Sequence, residues 1–580
     1  MQDFDSFAIP PALPLPPKEV PLPEPTRPAF HTPLLYCLFR PLPAFGGSHP
    51  ATLQHLPVSP NLFPTPYPPD CSLRKLFLDN IVYQRTKSSK FAKDCTRTGY
   101  FNARVCEIKK LMTHGRKESA PADKLDSAMK VGIYPTPVFE SRFESGNLEL
   151  VAQLGEFEYN LLLQNDVNAM GKTQWFFFRV SSATVRTPYT FHILNFCKPD
   201  SLFNAGMLIT VYSRRENEET GVGWQHAGEN LLYYPNGIAR EDADKKEYFS
   251  LSFEYVFKHT NDEVYFAYSY PYTYTQLQQY LYQLETDPYK SMFITKKELC
   301  RSLSGNSCDY LTITNSQSAI SQKHGVFLSA RVHPGETVGS YVMKGVLDFL
   351  TSASPVAEQL RNQFVFKVVP MLNPDGVVNG NHRCGVLGVD LNRRWRKPHK
   401  TIHPTIFHAK RLVKAFASSF PVDLVCDLHG HSRKSSIFMY GNSLKSDPLT
   451  SRLFPYILSK LSPVFHYPYC KFTITKSKEA TLRVALHREL QLPCVYTLET
   501  SFLGPDTVSE YSGSHEGSPL HAGKSGGNGK GPVLRYFGGL WQGGRLTCAP
   551  VCGQGQRPQV NAGGMRSRGH EEQGERGTDG

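Results

Sequence analysis

Between residues 271 and 505, four apolar runs are each followed at once by residues that can do chemistry. Strand-like runs alternate with helical patterns here, which predicts an α/β sheet with covering helices. The runs are GVFLSARV before His333 and Glu336, FVFKVVPML before Asn373, VDLVCDL before His429, and CVYTL before Glu499. In an open α/β sheet, ligands bind in the crevice outside the carboxyl ends of the strands. We therefore expect the four segments to meet at one edge of one sheet.

Two histidines and one glutamate in these segments have the side chains that zinc prefers. Imidazole nitrogen and carboxylate oxygen bind Zn²⁺ at about 2.0–2.2 Å, and a catalytic zinc keeps three protein ligands and one position for water. The Pro-Gly dipeptide inside HPGE lets His333 and Glu336 face one point, and His429 supplies the third ligand. We predict one Zn²⁺ per chain. Glu499 then remains as the general base for a water whose pKa the metal lowers to about 7.

Positively charged residues follow the second of these runs. Arg383 lies in NHRCG, and Asn392 and Arg393 lie in GVDLNRRW. An arginine fork matches a carboxylate with two parallel hydrogen bonds, so it can bind the C-terminus of a peptide. A cation nearby also stabilises a developing oxyanion. The other basic residues of this stretch are interpreted as a solvated surface: Arg394, Arg396 and Lys397.

Composition divides the rest of the chain. Residues 1–70 hold 19 of the 44 prolines, which excludes helices and inner strands and predicts a Pro-rich disordered arm. Residues 71–270 contain short aromatic and aliphatic runs between polar turns, which predicts an antiparallel β-sandwich domain that is a scaffold or positions substrate. Residues 271–505 form the domain with the predicted site. Residues 506–580 are Gly-rich and are expected to be disordered.

Several functional classes are disfavoured by what the sequence lacks. No run approaches 18 apolar residues, so no membrane span is expected, and the acidic, proline-broken start does not resemble a signal peptide. The 13 scattered cysteines contain no CxxC pair and predict free thiols in a reducing compartment. The net charge of +13 fits either solubility or an acidic partner. Without a nucleic-acid-binding or nucleotide-binding motif, we expect no nucleic acid and no nucleotide cofactor.

The motifs HPGE, NPDG, VDLNRRW, the histidine after VCDL, and LETSF resemble those of the zinc metallocarboxypeptidases. More narrowly, GHSRKSSIFMYGN and the preceding β-rich region resemble the cytosolic carboxypeptidases that remove glutamates from tubulin. The resemblance covers residues 75–505 and implies a carboxypeptidase-like mixed sheet. It also implies roles for seven residues: zinc ligands His333, Glu336 and His429, general base Glu499, carboxylate-binding Asn392 and Arg393, and Arg383 polarising the scissile carbonyl.

The resemblance further implies a reaction and partners. The expected reaction is hydrolysis of C-terminal glutamates, from polyglutamate side chains or from the main chain. The expected partners are polyglutamylated tubulin or other acidic protein tails, in the cytosol at microtubules, centrioles or the cilium base. We hypothesise that Arg483 binds the side-chain carboxylate of the substrate, with a surface arginine as the alternative.

The chain departs from the family after the general-base strand. Family members continue into a helix that covers the sheet, whereas PDTVSEYSGSHEGSPLHAGKSGG cannot form that helix. Exposed apolar sheet surface costs ~25 cal/mol per Å², so we expect a fold weakened by several kcal/mol and an activity that depends on this tail. Two other functions stay open. One is a microtubule-associated binding protein with impaired catalysis, and the other is a zinc amidohydrolase that acts on acylated amino acids.

Overall fold

The computed structural model describes four parts of the chain, which are residues 81–85, 137–240, 246–443 and 447–504. These parts form three β-sheets with covering helices. The predictions for the Pro-rich arm and the Gly-rich tail, and the predicted loss of a covering helix in that tail, lie outside the described residues. No helix among the described residues is long and apolar enough to cross a membrane.

Eleven strands, one short α-helix, Arg214–Thr220 (α1), and a 3-10 turn, Leu202–Ala205, make up the first region of the described chain. The strands are Ile81–Gln84 (β1), Val138–Glu140 (β2), Leu148–Gly155 (β3), Glu158–Leu163 (β4), Phe177–Ser181 (β5), Pro188–Phe196 (β6), Ile209–Ser213 (β7), Gln225–Ala227 (β8), Glu229–Ala239 (β9), Glu247–Val256 (β10) and Glu263–Ala267 (β11). One sheet has the order β1-β3-β4-β6-β10-β9 and the other β2-β5-β11-β7-β8. We call this two-sheet region the β-sandwich.

Aromatic side chains fill the space between the two sheets. Phe178 of β5 stacks on Phe266 of β11, with ring centroids 5.3 Å apart. Phe191 of β6, in the other sheet, lies 5.6 Å from the same Phe266 ring. Phe178, Phe191 and Phe266 are fully buried. Because large rings remove much apolar surface from water, this contact between the sheets stabilises the β-sandwich.

The predicted antiparallel sandwich is present with one departure. Strands β4 and β6 pair in parallel, whereas every other described pair in these two sheets is antiparallel. The chain leaves β4, crosses to the other sheet to form β5, and then returns to lie beside β4 in the same direction. The pattern of apolar and polar residues within a single strand does not reveal whether the chain crosses to another sheet before it returns.

The third sheet has seven strands, and its centre is parallel. The strands are Ile294–Arg301 (β12), Ser307–Ile313 (β13), His324–Ala330 (β14), Phe364–Val369 (β15), Val422–His431 (β16), Ile437–Tyr440 (β17) and Val495–Ser501 (β18). Their order is β12-β13-β15-β14-β16-β18-β17, and the pairs β15-β14, β14-β16 and β16-β18 are parallel. β14 is buried from its second residue onward, as expected for a parallel strand covered on both faces.

Seven helices accompany this sheet: Tyr274–Thr286 (α2), Thr337–Leu350 (α3), Pro355–Gln363 (α4), Pro374–Asn379 (α5), Pro404–Ser419 (α6), Thr450–Leu461 (α7) and Leu482–Leu490 (α8). Helices α2, α3, α4 and α7 contribute to one hydrophobic cluster, and α6 and α8 contribute to a second cluster. The α2 start carries a capping box, in which Thr273 and Gln276 satisfy each other's backbone N–H groups. The predicted mixed α/β sheet with covering helices is confirmed.

The strand order creates a crevice at the carboxyl end of β14. The next strand in the chain, β15, lies on one side of β14, and β16 lies on the other. A reversal of this kind separates the loops that leave adjacent strands, and ligands of α/β proteins bind in the gap. The four apolar runs that the sequence analysis singled out are β14, β15, β16 and β18, which are neighbours in this sheet.

Candidate active site

The HPGE turn follows β14 and is held in place by a buried arginine. Arg331 has a φ of 59°, in the left-handed region that non-glycine residues seldom adopt. Its guanidinium donates to the carbonyls of Pro334 at 2.7 Å and Tyr272 at 2.9 Å and to the Ser340 hydroxyl at 2.8 Å. These three hydrogen bonds fix the turn against helices α2 and α3. Sequence reasoning did not assign Arg331 a role, because nothing in a single sequence marks its backbone conformation.

Gly335 lets a second loop approach the turn closely. Its N–H donates to the carbonyl of His382 at 2.8 Å. A Cβ atom at position 335 would lie 2.7 Å from His382 Nδ1 and 2.9 Å from that carbonyl oxygen, which is too close for any side chain. The glycine therefore brings the loop that carries Arg383 against the HPGE turn.

His333, Glu336 and His429 meet at one point. His333 Nδ1 lies 2.8 Å from Glu336 Oε1, His429 Nδ1 lies 2.9 Å from Glu336 Oε2, and the two Nδ1 atoms are 3.2 Å apart. Two ligands at about 2.0–2.2 Å from a tetrahedral zinc are roughly 3.3–3.5 Å apart, so this trio needs little adjustment to share an ion. Two imidazoles and a carboxylate are also a donor set that zinc favours. The residues fit the metal.

Each histidine is oriented by an aspartate on its other nitrogen. His333 Nε2 lies 3.2 Å from Asp390, and His429 Nε2 lies 2.6 Å from Asp427. Carboxylates in this position fix the ring and its tautomer in metal sites. Neither aspartate was assigned in the sequence analysis. Asp427 stands two residues before His429 in β16 and so shares its face of the strand, which was a usable signal.

The electrostatics of the trio favour a cation. Burial alone would lower the pKa of His429, but the adjacent Asp427 and Glu336 outweigh it and raise that pKa well above its usual range. Burial would likewise raise the pKa of Glu336, yet the two histidines hold it well below its usual value. The surroundings of His429 are therefore strongly negative, and a bound divalent ion would compensate that charge.

Glu499 faces the same crevice from the neighbouring strand. In the parallel pair β16-β18, Glu499 is in register with His429. Burial raises the pKa of Glu499 to about 8, opposed by His429 and reinforced by Glu336. A carboxyl group with a raised pKa near neutral is suited to accept and return a proton.

The two arginines and the asparagine that the sequence analysis proposed to bind substrate lie around the trio. Arg383 donates from Nε to Asp390 at 2.9 Å, and its Nη2 lies 2.7 Å from the same carboxylate. Asn392 accepts from the Leu482 N–H at 3.0 Å, and its side-chain nitrogen lies 3.5 Å from His429 Nε2. Arg393 keeps 29% of its side chain exposed, and its Nη1 is 3.8 Å from Asp390. Arg393 therefore remains accessible to a ligand.

Arg483 is engaged with protein groups. It is buried near the start of α8, where Nη1 donates to the Gly441 carbonyl and to Asn442 Oδ1, the latter at 2.8 Å. Burial lowers its pKa to about 10. These contacts attach α8 to the segment after β17. A role for Arg483 toward a substrate carboxylate stays a prediction, and any such ligand would share the guanidinium with these two acceptors.

The β-sandwich holds the loop that carries Arg383. Asp166, which lies between β4 and β5, accepts hydrogen bonds from the backbone N–H groups of His382, Arg383 and Cys384 at 2.5, 2.8 and 2.7 Å. The Ser145 hydroxyl donates to the Val377 carbonyl at 2.7 Å. Sequence reasoning missed Asp166, because a single aspartate in a loop shows no spacing that distinguishes it.

Comparison with known protein families fits this geometry. Residues 277–467 match a family model described as zinc carboxypeptidase. The chain carries a zinc carboxypeptidase domain. Residues 139–234 match a model described as the cytosolic carboxypeptidase N-terminal domain, which corresponds to most of the β-sandwich. The predicted family and branch are confirmed, and the zinc carboxypeptidase domain implies a zinc cofactor.

Curated relatives are cytosolic carboxypeptidases. The chain is 43% identical over 411 residues to cytosolic carboxypeptidase 1 of Homo sapiens, an alignment that covers 66% of this chain and 33% of that protein. It is 42% identical over 388 residues to cytosolic carboxypeptidase 2 of Danio rerio, which covers 66% and 53%. The chain thus spans between a third and about half of the length of these relatives. A metallo-carboxypeptidase from Burkholderia cenocepacia shares the fold, with a TM-score of 0.56, 20% identity, and coverage of 70% of this chain and 97% of that one.

Proposed function

We propose that this chain is a zinc-dependent carboxypeptidase that hydrolyses C-terminal glutamates of acidic protein tails. The observation that carries the proposal is the meeting of His333, Glu336 and His429 at the carboxyl ends of parallel strands, with Glu499 in register beside them. Three ligands and a neighbouring carboxyl group are the parts that hydrolysis of a peptide bond by water requires.

Each residue of the site has a role in this proposal. A zinc ion held by the trio would polarise the scissile carbonyl and lower the pKa of the attacking water. Glu499 accepts the proton of that water and delivers it to the leaving amine. Asn392 and Arg393 bind the terminal carboxylate, which restricts cleavage to chain ends. Arg383, oriented by Asp390, donates toward the scissile carbonyl oxygen as negative charge develops there.

The charge of the site supports an acidic substrate. Lys478 lies in the field of Arg393 and Arg383, and both arginines lower its pKa after burial does. Positive groups gathered closely enough that two arginines lower the pKa of a neighbouring lysine create a potential that attracts carboxylates. The net charge of +13 adds long-range attraction toward an acidic tail. We therefore favour glutamate as the residue removed.

Polyglutamylated tubulin is the partner we propose, with the cytosol near microtubules, centrioles or the cilium base as the place of action. The curated relatives are named cytosolic carboxypeptidases, which supports the compartment. A tubulin tail is an acidic, extended chain end, and such a segment fits a crevice that is lined by cationic groups. Other acidic protein tails fit the same crevice, and a synthetic poly-Glu peptide represents them as well as tubulin.

The proposal is tested by measuring zinc content and glutamate release on the full chain. The substrate is a synthetic poly-Glu peptide, and the matched control is the same peptide with a C-terminal amide. We expect about one zinc per chain, glutamate release from the free acid, and none from the amide, because Arg393 then loses its charged partner.

Three other outcomes contradict the proposal in different ways. Zinc binding without release favours a binding protein with impaired catalysis. Release only from acylated amino acids indicates an amidohydrolase. If the amidated peptide is cleaved as fast as the free acid, Asn392 and Arg393 do not select substrates by binding the terminal carboxylate.

A further inference from the structure

A lysine of the β-sandwich reaches the rim of the active-site crevice. Lys198 lies two residues after β6, and its Nζ donates to the Ser432 hydroxyl at 3.0 Å. The same Nζ lies 3.5 Å from His382 Nε2. Ser432 follows the zinc ligand His429 by three residues, and His382 is adjacent to Arg383. The ammonium group therefore sits between the two loops that carry these site residues.

The backbone at Lys198 is fixed from the β-sandwich side. The Tyr233 hydroxyl of β9 donates to the Lys198 carbonyl. Arg240 donates to the carbonyl of the preceding residue, Cys197, at 3.1 Å. A long side chain loses rotamer freedom when it binds a ligand, and an anchored backbone with a half-buried stem has less freedom left to lose. Lys198 is thus presented to the crevice in advance of substrate.

The Lys198 ammonium forms hydrogen-bonding contacts with neutral groups. Its two nearest polar neighbours are a hydroxyl and an imidazole, and burial holds the pKa of His382 well below its usual value, so that ring is neutral. Within the described residues no carboxylate forms an ion pair with Lys198, whereas the partly buried Lys410 pairs with Glu489 at 2.5 Å. Burial and, after it, the nearby Arg383 lower the pKa of Lys198 to about 8.

Lys198 and the proposed clamp for the terminal carboxylate contact different parts of the crevice. Asn392, next to Arg393 in the chain, accepts a hydrogen bond from the Leu482 N–H at the start of α8. Lys198 instead contacts Ser432, after β16, and His382, beside Arg383. A substrate whose terminal carboxylate lies at Asn392 and Arg393 would therefore meet Lys198 with a residue other than its last one.

We propose that the Lys198 ammonium binds the side-chain carboxylate of the glutamate that precedes the scissile bond. The β-sandwich then contributes one residue to substrate selection, and the enzyme favours chains in which an acidic residue stands before the terminal glutamate. The inference rests on the proposed carboxypeptidase function. It concerns binding to a second position of the substrate, which can be measured even where no cleavage occurs.

The test uses binding to the full chain with zinc and the substitution Glu499→Gln, which prevents turnover. Two blocked peptides, ending in Glu-Glu and in Ala-Glu, are titrated by calorimetry. We expect Lys198→Met to weaken the Glu-Glu peptide on the order of tenfold and to leave the Ala-Glu peptide within about twofold, since only the first has the second carboxylate. Lys198→Arg keeps the charge and should keep the preference.

Controls separate this inference from misfolding and from the proposed function. Lys414→Met removes an exposed lysine on α6 and should change neither affinity. Lys198→Gln retains hydrogen bonding and serves as the second variant if the methionine chain unfolds. Equal weakening of both peptides, or an unchanged Glu-Glu affinity, overturns the role of Lys198. Failure of the unsubstituted chain to release glutamate counts against the proposed function alone.

Discussion

The β-sandwich and the seven-stranded sheet place their polar residues differently, and the difference follows from strand direction. Adjacent antiparallel strands run in opposite directions, so one edge of each sheet in the β-sandwich receives carboxyl ends and amino ends of strands in turn. The four parallel strands β15, β14, β16 and β18 point their carboxyl ends the same way. Residues far apart in the chain therefore gather at one edge, where His333, Glu336 and His429 meet with Glu499 in register beside them.

The comparison also shows that the site does not end at the boundary of the zinc carboxypeptidase domain. Asp166 and Lys198 belong to the β-sandwich, yet one holds the backbone of the Arg383 loop and the other reaches the rim of the crevice. A region whose core is aromatic and inert thus supports the chemistry through two loop residues.

Breaking the seven-stranded sheet's polar edge should abolish activity without unfolding the chain. His429→Ala removes one zinc ligand, and we expect zinc to be lost and kcat/KM to fall roughly a thousandfold or more. The matched control is His431→Ala, two residues along β16, where the ring contacts Phe438 edge to face and lies outside the trio. Zinc analysis and glutamate release measure both variants. If the His429 variant retained both zinc and activity, the trio would not be the zinc site that catalysis requires.

Glu499→Gln should separate catalysis from stability. We expect kcat to fall about 10²- to 10⁴-fold with zinc retained, because the general base is lost. Folding raises the pKa of this carboxyl from 4.5 to about 8, so the folded state holds the proton more tightly than the unfolded state. The zinc-free chain therefore loses stability as pH rises through this range, and the variant should gain on the order of 3 kcal/mol at pH 7.

Denaturant unfolding of the zinc-free proteins at several pH values checks the second half of this prediction. The difference between the two chains should shrink toward pH 4, where the carboxyl is protonated in both states. A difference that does not vary with pH would show that Glu499 titrates normally in the folded chain. Full activity of the variant would exclude it as the base.

Disturbing the contact between the regions should have a smaller effect. Asp166→Ala leaves three backbone N–H groups of the Arg383 loop without their acceptor, and we expect kcat to fall about tenfold with zinc retained. Unpaired buried donors cost about 1–3 kcal/mol of stability. Asp200→Ala is the control, since Asp200 is a largely exposed aspartate of the same region. Unchanged kcat in the Asp166 variant would mean that the loop keeps its position by other contacts.

Weakening the aromatic core of the β-sandwich should affect stability and spare catalysis. Phe178→Ala deletes a fully buried ring, and we expect a loss of about 3–5 kcal/mol in the free energy of unfolding. The kcat of the folded fraction should not change, because the ring contacts of Phe178 are with Phe176 and Phe266, within the core of the β-sandwich. Tyr282→Ala, at a side chain that is 66% exposed, is the neutral control. A lower kcat per folded molecule in the Phe178 variant would show that the aromatic core of the β-sandwich affects catalysis as well as stability.

The sequence was enough to find a site residue where a side chain capable of chemistry stands directly at the end of a predicted strand. His333, His429 and Glu499 each stand at the end of a continuous apolar run, and parallel strands align such ends. Asp427 carried the same kind of signal and was overlooked.

Asp166, Lys198 and Arg331 could not be found in this way. The first two act through loops that meet only after the two regions pack together, and the third acts through a left-handed backbone. The parallel pairing of β4 with β6 was missed because a crossing between sheets depends on long-range packing. Arg483 shows a related limit, since distance along the chain does not reveal that its guanidinium bonds to Gly441 and Asn442.

The central claim is that His333, Glu336 and His429 share one zinc ion, and X-ray absorption at the zinc edge of the full chain tests it directly. We expect one zinc per chain with nitrogen and oxygen neighbours at about 2.0–2.2 Å and no sulfur. The number of imidazole neighbours should fit two. Sulfur scattering at about 2.3 Å, or no bound zinc in a folded chain, would contradict the claim.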